Sequence, residues 1–244
     1  MMTGVPEPAS RPVLLVGHAV VRPGLAQRLT TGERLRVDRA APAHRDAVAS
    51  ALLLARCFLA DACGVAPDTV RIRRRCPRCG STDHGVPWAA RADGGPVPHL
   101  STSRTGDRVA VALSDAGPVG IDVERRDADP GRTLAAVALA PGETPAAGPD
   151  GLLRTWVRKE AVLKAAGTGL TVDPRALVIA DGVPRPTVRT TSAELDPPAG
   201  ARWWLTDLDL GDDHLAALAG TTPGSAAPEV RVTAVDLTDP SGGA

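Results

Sequence analysis

The chain has 244 residues and is 43% hydrophobic, enough to fill a core, so a folded protein of one large or two small domains is expected. Lysine plus arginine equals aspartate plus glutamate at 28 each, so net charge gives no ground for a nucleic-acid or membrane surface. No run of about 18 apolar residues occurs, and the first twenty residues lack the basic, apolar, small-residue order of a signal peptide, so a cytoplasmic protein is expected.

In chain order, RPVLLVGHAVV (11–21) reads as a strand. AHRDAVASALLLARCFLADACG (43–64) reads as a helix, with Gly64 where it would stop. The basic strand DTVRIRRR (68–75) precedes CPRCGSTDHGVP (76–87), a loop by its glycines and prolines. RVAVAL (108–113) and VGIDVE (119–124) read as two strands of a hairpin turned by SDAGP. A short helix, RTLAAVALA (132–140), leads to a strong one, DGLLRTWVRKEAVLKAAG (150–167). The strands RALVIA, RWWLTDLDL, HLAALA and EVRVTAVDL follow, with a loop at 221–228 and a frayed tail at 240–244. One long helix and several strands in each half imply an α+β protein of two similar lobes, 1–116 and 117–244.

Period-two alternation over VGIDVE places Val119, Ile121 and Val123 on one face and Gly120, Asp122 and Glu124 on the other. Same-face neighbours on a strand are about 7 Å apart, where two carboxylates repel unless water screens them or a cation lies between. In the strong helix, Asp150 is the expected N-cap and Gly167 the left-handed stop. At about 100° per residue, Leu152, Trp156 and Leu163 fall within roughly 40°, with Leu153 at the edge and Glu160 inside the apolar arc. A carboxylate there needs a partner. Lys164, one turn on, makes an ordinary helical ion pair possible, but three acids in Asp122, Glu124 and Glu160 also suit a hard cation such as Mg²⁺. Arg158, Lys159 and Lys164 are expected to surround Glu160 with positive charge, the equipment of phosphoryl transfer.

These residues resemble the 4′-phosphopantetheinyl transferases of the Sfp type. The marks are the aspartate-x-glutamate strand at Asp122 and Glu124 and the tryptophan-x-x-lysine-glutamate-x-x-x-lysine helix at Trp156, Lys159, Glu160 and Lys164, followed by Gly167 and Gly169. Further marks are AHRDAV with Arg45, HGVP, and LSTSRTGDRVAVAL; the likeness spans roughly Val13 to Leu237. The resemblance implies a pseudo-twofold pair of lobes, each a small, mostly antiparallel sheet packed on a long helix, with coenzyme A in the cleft. It implies a monomeric holo-carrier synthase that transfers phosphopantetheine to an apo acyl or peptidyl carrier protein in fatty-acid, polyketide or peptide biosynthesis, releasing 3′,5′-ADP. Asp122, Glu124 and Glu160 would hold Mg²⁺, Glu160 would take the serine proton, and Lys164 would stabilise the departing phosphate. Arg45, Ser103, Arg104 and Lys164 would hold the coenzyme phosphates. Two positions depart from the family pattern: Val86 stands where a lysine is usual and Arg104 where a histidine is usual. A non-catalytic pseudoenzyme that binds coenzyme A or a carrier is the alternative these departures raise.

RIRRRCPRCG also looks like half of a zinc ribbon, which would imply a metal-stabilised nucleic-acid module. Two more ligands would be needed, with Cys57, Cys63 and His84 as candidates. Zero net charge and a single phenylalanine speak against nucleic acid as the partner.

Overall fold

The computed structural model describes residues 12–127, 133–223 and 227–239; the expected tail at 240–244 lies outside them. The elements are β1 (Val13–Val20), α1 (Thr31–Arg39), α2 (Arg45–Ala62), β2 (Val70–Arg75), β3 (Val86–Arg91), β4 (His99–Thr105), β5 (Arg108–Ser114) and β6 (Val119–Arg125). They continue as α3 (Leu134–Ala138), α4 (Gly151–Ala165), β7 (Leu177–Ala180), β8 (Thr187–Thr190), β9 (Ala201–Leu208), β10 (His214–Pro223) and β11 (Glu229–Ala234). The class is α+β, as the sequence implies. β10 extends through Pro223, so the loop expected from residue 221 begins later.

The first sheet has the order β11-β1-β5-β4, antiparallel except where β11 runs parallel to β1; the second has the order β6-β10-β9. The last strand therefore returns to the first sheet across the expected boundary near residue 117. β5 is buried on both faces, and its side chains sort by size. Val109, Val111 and Leu113 join Leu54 and Phe58 of α2 in one core, while the small Ala110 and Ala112 face the second sheet with Ile121, Val123 and Leu218. A third core lies under α4, where Val157, Ala161 and Val162 meet Leu205, Leu215 and Ala217.

The hairpin expected between RVAVAL and VGIDVE does not form. Both edges of β5 are already occupied by β1 and β4, so the chain crosses at Gly117–Pro118 and β6 pairs with β10 instead. Along the seam with β4, two serine hydroxyls stand in for a backbone ladder: Ile121 N–H donates to Ser101 Oγ (3.2 Å) and Val123 N–H to Ser103 Oγ (3.3 Å).

α4 lies directly on the Gly120 face of β6. A Cβ at Gly120 would sit 2.0 Å from the Ala161 carbonyl oxygen and 2.5 Å from the Ala165 nitrogen, both backbone atoms that no rotamer change can move. Gly120→Ala is therefore expected to cost about 1–3 kcal/mol by overpacking, read by chemical denaturation. Activity should fall further than the folded fraction, because α4 carries Glu160 and Lys164.

The close approach also rotates the helix from its expected seating. Leu153, Val157 and Ala161 form the buried line, and bulky Leu152 and Trp156 sit at the margin, half-buried. Asp150 makes no capping bond and pairs with Arg126 instead. Gly167 does close the helix in the left-handed region (φ 73°), with Thr168 N–H on Leu163 O (3.2 Å) and Gly167 N–H on Lys164 O (3.1 Å). Among the described residues no helix is long and apolar enough to cross a membrane.

Candidate active site

Where β4, β6 and α4 meet, a cavity of about 670 Å³ opens, with Asp122, Glu124, Glu160 and Lys164 in its wall. β6 supplies two of the acids because its even positions face α4; α4 supplies Glu160 and Lys164 one turn apart.

Asp122 is buried and its two oxygens differ. Oδ1 accepts from Lys164 Nζ (2.6 Å) and Ser103 Oγ (2.8 Å), whereas Oδ2 has no hydrogen-bond partner among the described residues. Lys164 Nζ also donates to Ile121 O (3.1 Å) and Ser103 Oγ (3.2 Å), so all three of its protons are engaged. Ser103, expected to hold coenzyme phosphate, thus binds Asp122, Val123 and Lys164 inside the protein. Glu124 accepts from Thr105 Oγ1 (2.8 Å); burial pushes its carboxyl up, with Asp122 adding to the shift and Thr105 opposing it. Glu160 Oε1 is buried without a partner among the described residues. Burial, then the charge of Asp122, raises the Glu160 carboxyl to about 7, against the pull of Lys164.

The donor set passes a test for a hard divalent cation. It offers carboxylate oxygens from three acids, two of these oxygens buried without a hydrogen-bond partner among the described residues, and a Glu160 carboxyl raised by burial and by the charge of Asp122. A cation among them would relieve both.

Arginines also line this cavity: Arg36 and Arg39 from α1, Arg74 from β2, and the exposed Arg104 from β4. Burial pushes the Arg74 guanidinium down from its ordinary value, and the nearby Arg36 and Arg104 charges add to this. Arg74 donates to Gly85 O (3.1 Å) and Thr102 Oγ1 (3.3 Å). Arg39 is paired with Asp83 (2.8 Å). A second, more apolar cavity of about 610 Å³ adjoins, sharing Arg74, Gly85, Thr102 and Lys164, and is walled by Val86, Trp88 and the turn after Gly167.

Several expectations are revised. Arg45 is exposed at the start of α2, donates to the carbonyls of Asp38 (3.3 Å) and Ala40 (3.4 Å), and does not line the cavity. Arg158 binds Asp207 (2.7 Å) and Asp181 (2.6 Å) on the far side. Lys159 is fully buried, with Nζ on Glu143 Oε2 (2.5 Å), Ala138 O (2.6 Å), Leu177 O (2.6 Å) and Pro174 O (3.2 Å). It faces away from Glu160, since successive helical residues diverge by about 100°. Lys164 alone of the three cations reaches the acids.

Arg36, Arg39, Arg74 and Thr105 escape a sequence reading, although signals exist. Thr30 and Glu33 form a capping box that marks α1 and sets Arg36 and Arg39 one turn apart. In β2, Arg74 shares the face of Val70 and Ile72, which distinguishes it from the exposed Arg71, Arg73 and Arg75.

Residues 118–219 match the family model of the 4′-phosphopantetheinyl transferase superfamily. The match covers Asp122, Glu124, Glu160 and Lys164 and stops short of the four arginines. No curated protein matches the chain.

Proposed function

We propose that this chain, whose residues 118–219 carry a 4′-phosphopantetheinyl transferase superfamily domain, transfers phosphopantetheine from coenzyme A to a serine of an acyl or peptidyl carrier protein, as an Mg²⁺-dependent enzyme of the Sfp type. The observation that carries the reading is three carboxylates, a lysine and four arginines lining one cavity. The same order of long helix against small sheet in each half supports the two-lobe, pseudo-twofold reading of the fold.

Asp122, Glu124 and Glu160 would hold the cation, which when bound neutralises the pyrophosphate and polarises its phosphorus. The serine oxygen attacks the β-phosphorus of coenzyme A, the bond to the bridging oxygen breaks, and 3′,5′-ADP leaves. Glu160, whose carboxylate form a bound cation favours, would accept the serine proton directly or through one water. Ser103 fixes Asp122 and Lys164 relative to each other. Lys164 must exchange one of its three present bonds for a phosphate oxygen, and the longest is the one to Ser103. The adjoining apolar cavity suits the uncharged pantetheine arm.

Arg74 offers a cation beside the Val86 loop, where the family's lysine is missing, and Arg104 offers one in place of the family's histidine. Arg104→Ala and Arg74→Ala are each expected to raise the KM for coenzyme A about ten- to a hundredfold, the worth of one charge-assisted hydrogen bond. Because guanidinium stays charged, coenzyme affinity should show no histidine-like loss between about pH 6 and 8. Comparing coenzyme A with its dephospho form locates the arginine that meets the 3′-phosphate. Unchanged KM values in both variants would place the phosphates elsewhere.

The deciding experiment incubates the protein with Mg²⁺, coenzyme A and a panel of apo carriers, scored by intact mass. A carrier that gains one phosphopantetheine supports the reading. Coenzyme binding with no mass gain on any carrier would favour the pseudoenzyme.

A further inference from the structure

The loop between β2 and β3 holds a second constellation, remote in chemistry from the acids. The sulfurs of Cys76 and Cys79 and one ring nitrogen of His84 lie within 4.8 Å of one another, with Cys76 buried and the other two exposed. Cys79 Sγ is 3.4 Å from His84 Nε2. A tetrahedral zinc with Zn–S near 2.3 Å and Zn–N near 2.05 Å sets such an edge at about 3.6 Å. Cys57 and Cys63, the other candidates, are excluded: Cys57 lies in the α2 core and Cys63 beside Arg91.

The loop backbone is shaped for the cluster. Gly80 takes a left-handed φ of 71° and returns its N–H to Cys76 O (2.9 Å), while Cys76 N–H donates to Ser81 O (2.8 Å). The amides of Cys79 and Arg78 donate toward the Cys76 sulfur. At the neck, Gly85 (φ 102°) lies against the backbone of Arg75 and Cys76, where a Cβ would come within 2.4 Å. That crossing delivers the adjacent His84 to the two sulfurs.

We propose that Cys76, Cys79 and His84 bind one zinc ion, leaving a fourth position to water on the exposed side, and that the ion clamps this loop. Two thiolates and an imidazole select a soft, tetrahedral cation, whereas the carboxylate site selects a hard one. His84 and Gly85 border both cavities, so the clamp would fix the wall they share. The site does not depend on the transferase reading.

The test is elemental analysis of the reduced protein, purified without chelator and then dialysed against zinc. One zinc per chain is expected, lost in Cys79→Ser and in His84→Ala and retained in Asp122→Asn. Amide exchange over residues 76–85 should quicken when a chelator strips the metal. His84→Ala, an exposed substitution, keeps the test open if a cysteine variant folds poorly. Wild-type protein that takes up no zinc would overturn the proposal. So would retention of the metal in both Cys79→Ser and His84→Ala, or loss only in Asp122→Asn, which would place the ion among the acids.

Discussion

Glu160→Gln is expected to lose roughly 10²-fold or more in turnover while the protein stays folded, because the amide keeps the shape but neither accepts a proton nor carries charge. An ordinary helical Glu–Lys pair, worth about 0.2–0.5 kcal/mol, would leave turnover near wild type, and that result would remove Glu160 from the chemistry. The same carboxyl sets a pH dependence. Its value is raised from 4.5 unfolded to about 7 folded, so between these limits the folded state holds a proton that the unfolded chain has released. The stability contribution is full below about pH 4.5 and is lost as pH rises through about 7, by on the order of 3 kcal/mol in metal-free protein. Glu160→Gln should flatten that slope, and Mg²⁺ should restore stability most above pH 7. Denaturation at pH 5 and pH 8, with and without Mg²⁺, reads both effects; identical slopes in wild type and variant would refute the assignment.

Lys159→Met is expected to cost about 3–5 kcal/mol of stability, because it leaves Glu143 buried without its cation. Glu143 Oε2 also accepts from Ala140 N (2.8 Å) and Oε1 from Ile179 N (2.8 Å), so this carboxylate ties α3, α4 and β7 together through one buried pair. The double change Lys159→Met with Glu143→Gln should recover part of the loss, since no uncompensated charge remains. Turnover per folded molecule should stay near wild type, which separates this lysine from Lys164. A Lys159→Met protein that melts like wild type but has lost turnover would return Lys159 to the reaction.

Asp122 shows how the tertiary structure alters an energetic expectation. From the strand alone, removing one of two like charges should relieve repulsion and leave the metal-free fold intact or stabilised. In the folded protein Asp122 is the anion that balances Lys164, so its removal also takes away the ammonium's charged partner. The gain from lowered repulsion is therefore opposed, and Asp122→Asn, which retains hydrogen-bonding capacity, is the cleaner probe.

Features that depend on neighbours in the chain are legible in the order of the amino acids. The alternation of VGIDVE placed Asp122 and Glu124 on one face and Val119, Ile121 and Val123 on the other, because side chains on a strand alternate regardless of what covers them. Glu160 and Lys164 are one turn apart on any helix, and Gly64 and Gly167 end helices because glycine tolerates the left-handed conformation at no steric cost. Which surfaces those faces meet is set by the packing of distant segments. The partner of β6 is β10 rather than β5, because β5 has no free edge. Lys159 and Lys164, both basic and on one helix, part company because one points into the core under α4 and the other toward β6. Arg36, Arg74 and Arg104 converge from three separate elements, and Cys76 meets His84 only through the crossing at Gly85. Such meetings are set by packing between segments distant in the chain, and local periodicity carries no record of them.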